Sequence, residues 1–589
     1  MQHGQFTAVF ILITTSIALT PLSASALGPP VAPDIAQLAQ DLSPKGLTNP
    51  TGPAAVPAPS PGTNVPGNPA SAVVPHLDGL VFVPSPDKVT KSRIAATGVV
   101  LEGVTVPDEP AFRDLVNPYL GRPLKFGDLN RMKEAIVAFY RDHDRPIIDV
   151  QLPPQDATNG VVQLVLLEGR VGQVNVKGNE WFSTGSYRDA LRLQPGDPIR
   201  NSTLQSDLDW INQNPFREAT VVFSPGATTG DTDITIQAKD RFPLRVYASY
   251  DDSGTALTGF DRYSAGFNWG NVFGLGQQLN YQFSTSSDAR SFLGNSASYV
   301  IPLPWRDTLT FAGDYVDTHG VVPPFTAEAG NFWDITARYA IQLPRLADYR
   351  QQITAGFDFK HNRNALQFGG IPVSNTPSDV DQFVVGYKGD EKDGFGRTSL
   401  NLQLFGSPGG LMGDNDDAHF AAVRTFSRSE YVYGNLVVQR LTQLPADFSF
   451  VLRGTGQLAS TNLQPSEELG FGGYDSIRGY DEREVNSDNG IILTAELRSP
   501  TVSLGEAFGV PQLKDQLQFL VFFDYGAAYD ERLIPGEPPV RHLASVGPGF
   551  VYTIDPYLKV VFDYGFQLHR TGFDNDHGSR GEVSVVVSY

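Results

Sequence analysis

One arginine stands between glycines and aromatics in GGYDSIRGY (472–480). Its chemistry is recognition rather than bond making. A guanidinium is planar, always charged, and carries donors in a fixed fork that matches a carboxylate. Away from bulk water it needs a fixed acidic partner, or it becomes a desolvated, unpaired charge. FLVFFDYG (519–526) supplies a candidate. In an alternating strand Phe519, Val521, Phe523 and Tyr525 share one face, and Asp524 falls on the other with Leu520 and Phe522. A carboxylate at membrane depth is costly and marks function. The expectation is that Arg478 binds Asp524 through two parallel hydrogen bonds.

Other chemistry finds no support in the residues. Neither a G-x-S-x-G elbow nor an H-E-x-x-H zinc helix occurs, and the 9 histidines are scattered. Cysteine is absent, which removes disulfides, thiol catalysis and cysteine metal sites. The acidic runs GDNDDAH (413–419) and FDNDHG (573–578) lack the spacing and closing glutamate of a calcium loop and read as solvated loops. No phosphate-cradling G-x-x-x-x-G-K-[ST] loop is present. A net charge of −20 argues against nucleic acid as a partner. No catalytic residue, cofactor or metal ligand is assigned.

The elements that must position Arg478 follow from patterning. FTAVFILITTSIALTPL (6–22), followed by Ala24-Ser25-Ala26, reads as an export signal over 1–26, although no Lys or Arg precedes it. Residues 27–78 are a Pro-rich linker with one short amphipathic helix at 34–42, where Ile35, Leu38, Ala39 and Leu42 share a face. An internal repeat offset by 75 residues follows: Gly103 matches Gly178, and Gly121 matches Gly196. Each copy runs into a helical pattern and then alternating strands, so two small α+β units are expected at 79–169 and 170–240. The second helix takes its N-cap from Asn201, Ser202 or Thr203. Short sheets of this kind leave edges able to accept a partner's strand.

From residue 241 to 589 period-two alternation takes over, with one face apolar and aromatic and the other polar or small. A strand between lipid and a wet lumen reads this way. About sixteen antiparallel strands are inferred, starting near 243, 259, 275, 292, 306, 329, 348, 380, 396, 430, 446, 488, 515, 541, 556 and 581. The fold class is therefore β-rich: a transmembrane β-barrel preceded by two α+β units. With those units on the inner side, odd strands run outward. GGYDSIRGY then lies on the outer connection between strands eleven and twelve, which is long enough to fold back into the barrel.

Taken together, these residues resemble a known family. GGYDSIRGY is similar to the VRGY/F loop motif of outer-membrane secretion and assembly proteins with periplasmic POTRA domains, with Ile477 at the usual Val; Ser476, Ile477, Arg478, Gly479 and Tyr480 make up the motif. FFDYG resembles the family's strand motif, here Phe522, Asp524 and Gly526. Two POTRA-like repeats and about sixteen strands resemble the two-partner secretion branch, the TpsB transporters. One departure is His143-Asp144-Arg145 where Gly-Tyr usually follows the first POTRA helix.

The resemblance implies an outer-membrane pore of a Gram-negative bacterium. Its POTRA units would dock an unfolded exoprotein, and the chain would pass without nucleotide hydrolysis or any enzymatic step. Helix 34–42 sits where relatives carry a plug helix. Tyr589, ending an alternating strand, resembles the signal read by the barrel assembly machinery, and it also closes the sheet against the first strand. Outer-membrane lipid is the remaining partner. The alternatives are an assembly factor of the same superfamily and a passive diffusion porin.

Overall fold

Alternation over 244–588 leaves strands that can satisfy their backbone groups in lipid only by closing on each other. A computed structural model of the chain, describing residues 68–320, 327–346, 348–368, 371–572 and 578–589, shows that closure. Sixteen antiparallel strands, from Leu244–Asp251 to Ser579–Ser588, form one closed barrel in sequence order. Their starts lie within three residues of those read from alternation, except the eighth, which begins at Ile371 rather than near 380. The first and last strands pair over Tyr247–Asp251 and Ser584–Ser588. Tyr589 extends that seam: its N–H donates to the Val246 carbonyl at 2.9 Å and its carbonyl accepts from the Val246 N–H at 3.1 Å. The export signal at 1–26 and the helix at 34–42 lie outside the described residues.

The described residues divide into two units, 243–589 and 68–242. Within the second, each repeat folds as an α+β layer. The first has a four-stranded sheet, in which Gly79–Val83 is flanked by Gly98–Leu101 and Val161–Glu168 and Ile148–Gln151 forms the far edge. Helices Glu109–Val116 and Phe126–Asp142 cover one face, burying Phe112, Leu129, Met132, Ile136 and Tyr140 against Phe82 and Leu164. The second repeat has a three-stranded sheet, Arg170–Lys177, Asp231–Asp240 and Arg217–Pro225, under helix Asn201–Asn212.

Two expectations change. The linker does not run to residue 78, because Ala72–Val74 pairs with Leu124–Lys125 and buries Val74, with Leu77 also buried behind it. Those apolar residues close the first repeat's core, so its ordered part starts earlier. The cap of helix Asn201–Asn212 also differs. No side chain at its own N-terminus caps it. Asp144 of the first repeat does so instead, accepting from the Ser202 N–H and Ser202 Oγ at 2.6 Å each, while its carbonyl accepts the Asn201 N–H at 3.3 Å. Asp144 ends the preceding helix with a φ of 64°, the left-handed region that glycine otherwise favours there. The departure at His143-Asp144-Arg145 thus has a physical role: it trades a glycine for a carboxylate that ties one repeat to the next.

Asp144→Ala is expected to destabilise that junction by about 1 kcal/mol, the usual loss for an N-cap. Hydrogen exchange in the full chain should then be faster at the Ser202–Leu204 amides and unchanged in helix Phe126–Asp142.

Candidate functional site

GGYDSIRGY lies on the connection between strand Ser449–Ala459 and strand Asn489–Arg498, the eleventh and twelfth of the barrel. That connection turns inward as a small hairpin, with Leu469–Phe471 paired to Val485–Ser487. Gly472 and Gly473 have φ near +100°, which lets the hairpin tip turn. Ser476 fastens the turn, its Oγ donating to the Gly472 carbonyl at 2.8 Å.

Arg478 reaches the wall at strand Asp515–Tyr529, the thirteenth. Its Nε and Nη2 donate to the two oxygens of Asp524 at 2.8 and 2.9 Å, and its backbone N–H donates to Asp524 Oδ2 at 3.1 Å. Nη1 donates to Glu496 Oε1 at 2.8 Å on the twelfth strand, and Asp563 of the fifteenth lies 3.7 Å away. The guanidinium stacks 3.6 Å over the Phe522 ring, a cation–π contact that also shields the pair from water. Asp524 and Phe522 are fully buried in the barrel interior, whereas Phe519, Val521 and Phe523 are exposed on the outside. The structure therefore brings Arg478, Phe522 and Asp524 together, and it leaves Tyr589 at the seam, apart from them.

The neighbours of Arg478 are fixed by shape. Ile477 is buried among Phe471, Tyr480, Val485 and Leu543, and it fills the space that Gly526 leaves, since a Cβ on Gly526 would collide with Ile477 Cδ1. The Tyr480 hydroxyl donates to the Ala544 carbonyl at 2.8 Å, accepts the Ala544 N–H at 3.0 Å, and meets the His569 carbonyl. Gly479, at φ +90°, rests on Gly565: a Cβ on Gly479 would lie 2.8 Å from the Gly565 backbone, and one on Gly565 would lie 2.6 Å from the Gly479 backbone. Gly479 also donates to Glu582 Oε1 at 3.4 Å on the last strand. The tip thus touches strands twelve to sixteen in turn.

Glu496, Asp563, Gly565 and Glu582 are participants that sequence reasoning missed. For two of them a signal was present. FDYG occurs twice, at 523–526 and 562–565. The first copy gives Asp524 to the guanidinium and Gly526 to Ile477; the second gives Asp563 to the guanidinium's far side and Gly565 to Gly479. Two copies of one short word on strands thirteen and fifteen make the two halves of a cradle.

The same loop is held on the other side of the lumen. Glu467, fully buried, accepts from Lys360 Nζ at 2.8 Å, Gln382 Nε2 at 2.9 Å and Tyr433 Oη at 2.6 Å, from the seventh, eighth and tenth strands. Strands seven and fifteen are eight apart in a ring of sixteen, hence opposite. Between Glu467 and Gly479 the loop crosses the barrel from wall to wall. Beside it Arg424 sits among Glu468, Asp488 and Asp530, 2.9 Å from Glu468 and from Asp530. A guanidinium therefore occupies the position where these three carboxylates converge.

The run 413–419 is less solvated than its composition suggests. Asp416 caps helix Asp417–Val423 through the Ala418 and His419 N–H groups at 2.8 and 3.0 Å, and Asn415 is buried with its amide on the Asp379 carbonyl. The hydrogen bond that the His419 ring donates to the Asp416 carboxylate raises the His419 pKa above its ordinary value.

Removing the Lys360 charge with Lys360→Met leaves Glu467 its neutral donors Gln382, Tyr433 and the adjacent Ser466 hydroxyl. We expect that end of the loop to loosen by about 1.5–3 kcal/mol, the worth of a hydrogen bond to a charged group. Planar-bilayer recordings should show a larger or more frequent open conductance than in the parent protein.

Against known proteins, residues 230–549 match the family described as haemolysin secretion/activation protein ShlB/FhaC/HecB. The chain belongs to this family. Residues 94–169 match the ShlB-type POTRA domain, and 169–240 match the POTRA model described as surface antigen variable number repeat. The heme/hemopexin transporter protein HuxB of Haemophilus influenzae (strain 86-028NP) is 24% identical over 72% of this chain and 73% of that protein. The outer membrane transporter CdiB of Escherichia coli is 22% identical over 72% of this chain and 73% of its own length. The solved structure of CdiB from Escherichia coli superposes with a TM-score of 0.72 at 17% identity, covering 97% of this chain and 99% of that one. The transporter is thus an outer-membrane β-barrel with periplasmic POTRA domains, of the two-partner secretion type.

Proposed function

We propose that this transporter passes one unfolded exoprotein from the periplasm to the cell surface, and that the Arg478 anchor holds its inward loop in the secretion-competent position. The observation that carries this reading is the placement of one loop tip against five consecutive wall strands, with a buried charge pair at its centre. A diffusion porin has no use for such a loop or for two POTRA units. The exoprotein docks by adding a strand at a POTRA sheet edge, for which Arg217–Pro225 is suited: among the described residues it pairs on one side only. Transport involves no covalent step and no nucleotide, and folding of the exoprotein outside supplies the direction. Lipid surrounds the wall, and the barrel assembly machinery inserts the chain through its C-terminal strand and Tyr589.

The test is deletion of this gene followed by assay of the exported protein encoded beside it. That protein should disappear from the medium and surface and return on complementation. Undiminished secretion by the deletion strain rejects the proposal.

A further inference from the structure

The second POTRA unit carries an exposed aromatic edge. Trp181 is 43% and Phe242 55% exposed, and their rings meet edge to face with centroids 5.0 Å apart. The loop that presents Trp181 is fixed rather than loose. Asp240 accepts the N–H groups of Glu180, Trp181 and Phe182 at 2.8, 3.2 and 3.0 Å, and the Tyr187 hydroxyl at 3.2 Å. A carboxylate with four donors pins the backbone so that the indole stays outside the core.

The covalent chain sets where this edge can go. Phe242 is two residues before Leu244, the first residue of the first spanning strand, so at most about 7 Å of chain separates them. Leu244 and Val246 are themselves exposed on the outer, lipid-facing side. The inner rim of the barrel is already lined for an interface. Phe273, Trp305, Phe395, Phe448, Phe508 and Tyr557, all exposed, stand on six of the seven inner turns between strands. Aromatic rings collect at this level because an apolar body with a polar edge suits the headgroup boundary.

We propose that Trp181 and Phe242 form a membrane-contact surface of the second POTRA unit, and that its partner is the headgroup–acyl boundary of the inner-leaflet phospholipid. The pair continues the aromatic girdle onto a periplasmic domain. It limits the swing of that domain at its attachment to the barrel.

The test uses the full chain reconstituted in phosphatidylethanolamine–phosphatidylglycerol vesicles. Of its five tryptophans, Trp210, Trp269, Trp305 and Trp333 are changed to phenylalanine, leaving Trp181 as the only emitter. Phospholipids brominated near the glycerol end of the acyl chain should quench Trp181, with a blue-shifted emission and loss of acrylamide access relative to the detergent-solubilised protein. If the fourfold variant fails to fold, the difference between the native sequence and Trp181→Phe in the same vesicles reports the same quantity. Red-shifted emission, open to acrylamide and untouched by bromine, overturns the proposal. So does protection that arises only when the exoprotein's N-terminal segment is added, because the surface then belongs to a protein partner.

Discussion

Arg478→Ala is expected to stop secretion of the exoprotein while the sixteen-strand wall still assembles. The wall is held by its own ladder, which this side chain does not enter. The loop tip depends on it directly. Removing the guanidinium leaves Asp524 buried with no cation beside it and Asp563 close by, while Glu496 keeps only Arg498, whose Nε donates to its other oxygen at 2.9 Å. Stripping one partner from a buried ion pair costs about 3–5 kcal/mol, which shifts the docked-to-free ratio of the loop by about two to three and a half powers of ten. Asp524→Asn should do less harm, because Arg478 keeps Glu496 and approaches Asp563. Arg478→Lys retains the charge and loses the fork, so it should fall between. Three readouts check the order: exoprotein in the medium, heat-modifiable mobility of the barrel, and protease cleavage of the loop on intact cells. Equal secretion by Arg478→Ala and the parent would remove the anchor from the mechanism.

Gly565→Ala is expected to act almost as strongly without touching a charge. The added methyl would sit 2.6 Å from the Gly479 backbone, and backbone cannot rotate away as a side chain can. Overpacking of this kind costs about 1–3 kcal/mol. Gly479→Ala adds the strain of a φ near +90° to a clash on the other side of the same contact. Both variants should lose secretion while the Arg478 partners remain chemically intact. A double variant with Arg478→Ala should be little worse than Arg478→Ala alone, since both defects undock one tip. Additive losses would mean that Gly565 acts elsewhere.

Most of the wall was legible because lipid on one side and water on the other force a two-residue period on every strand. The eighth strand begins earlier than its alternation. IPVSNTPSD (371–379) carries two prolines and no apolar alternation, yet it pairs along the seventh strand. A hairpin beyond the hydrocarbon has no lipid to impose a period. Arg478 and Asp524 were legible as a lone cation and a lone carboxylate, each out of place in its own stretch. Asp563 was marked only by the second FDYG, and Glu496 and Glu582 by nothing, since a carboxylate on an inward face of an alternating strand is unexceptional until closure sets it beside the loop. Asp144 was missed for a related reason: its helical partner lies 57 residues away in sequence, at Asn201, and the cap is formed across two folding units.

The seventh and eighth strands run 20 and 23 residues, whereas the first runs 8. At about 3.4 Å per residue and a tilt near 40°, the long pair rises roughly 50–60 Å, about twice the apolar band of ~25 Å. The short strand rises about 21 Å by the same measure, just short of that band. The outer mouth of the transporter is therefore a parapet on one side and level with the lipid on the other. A chain leaving the lumen meets a standing β-ribbon on the side of these two strands and a lower rim at the first, so the cell surface it first samples is not the same in every direction.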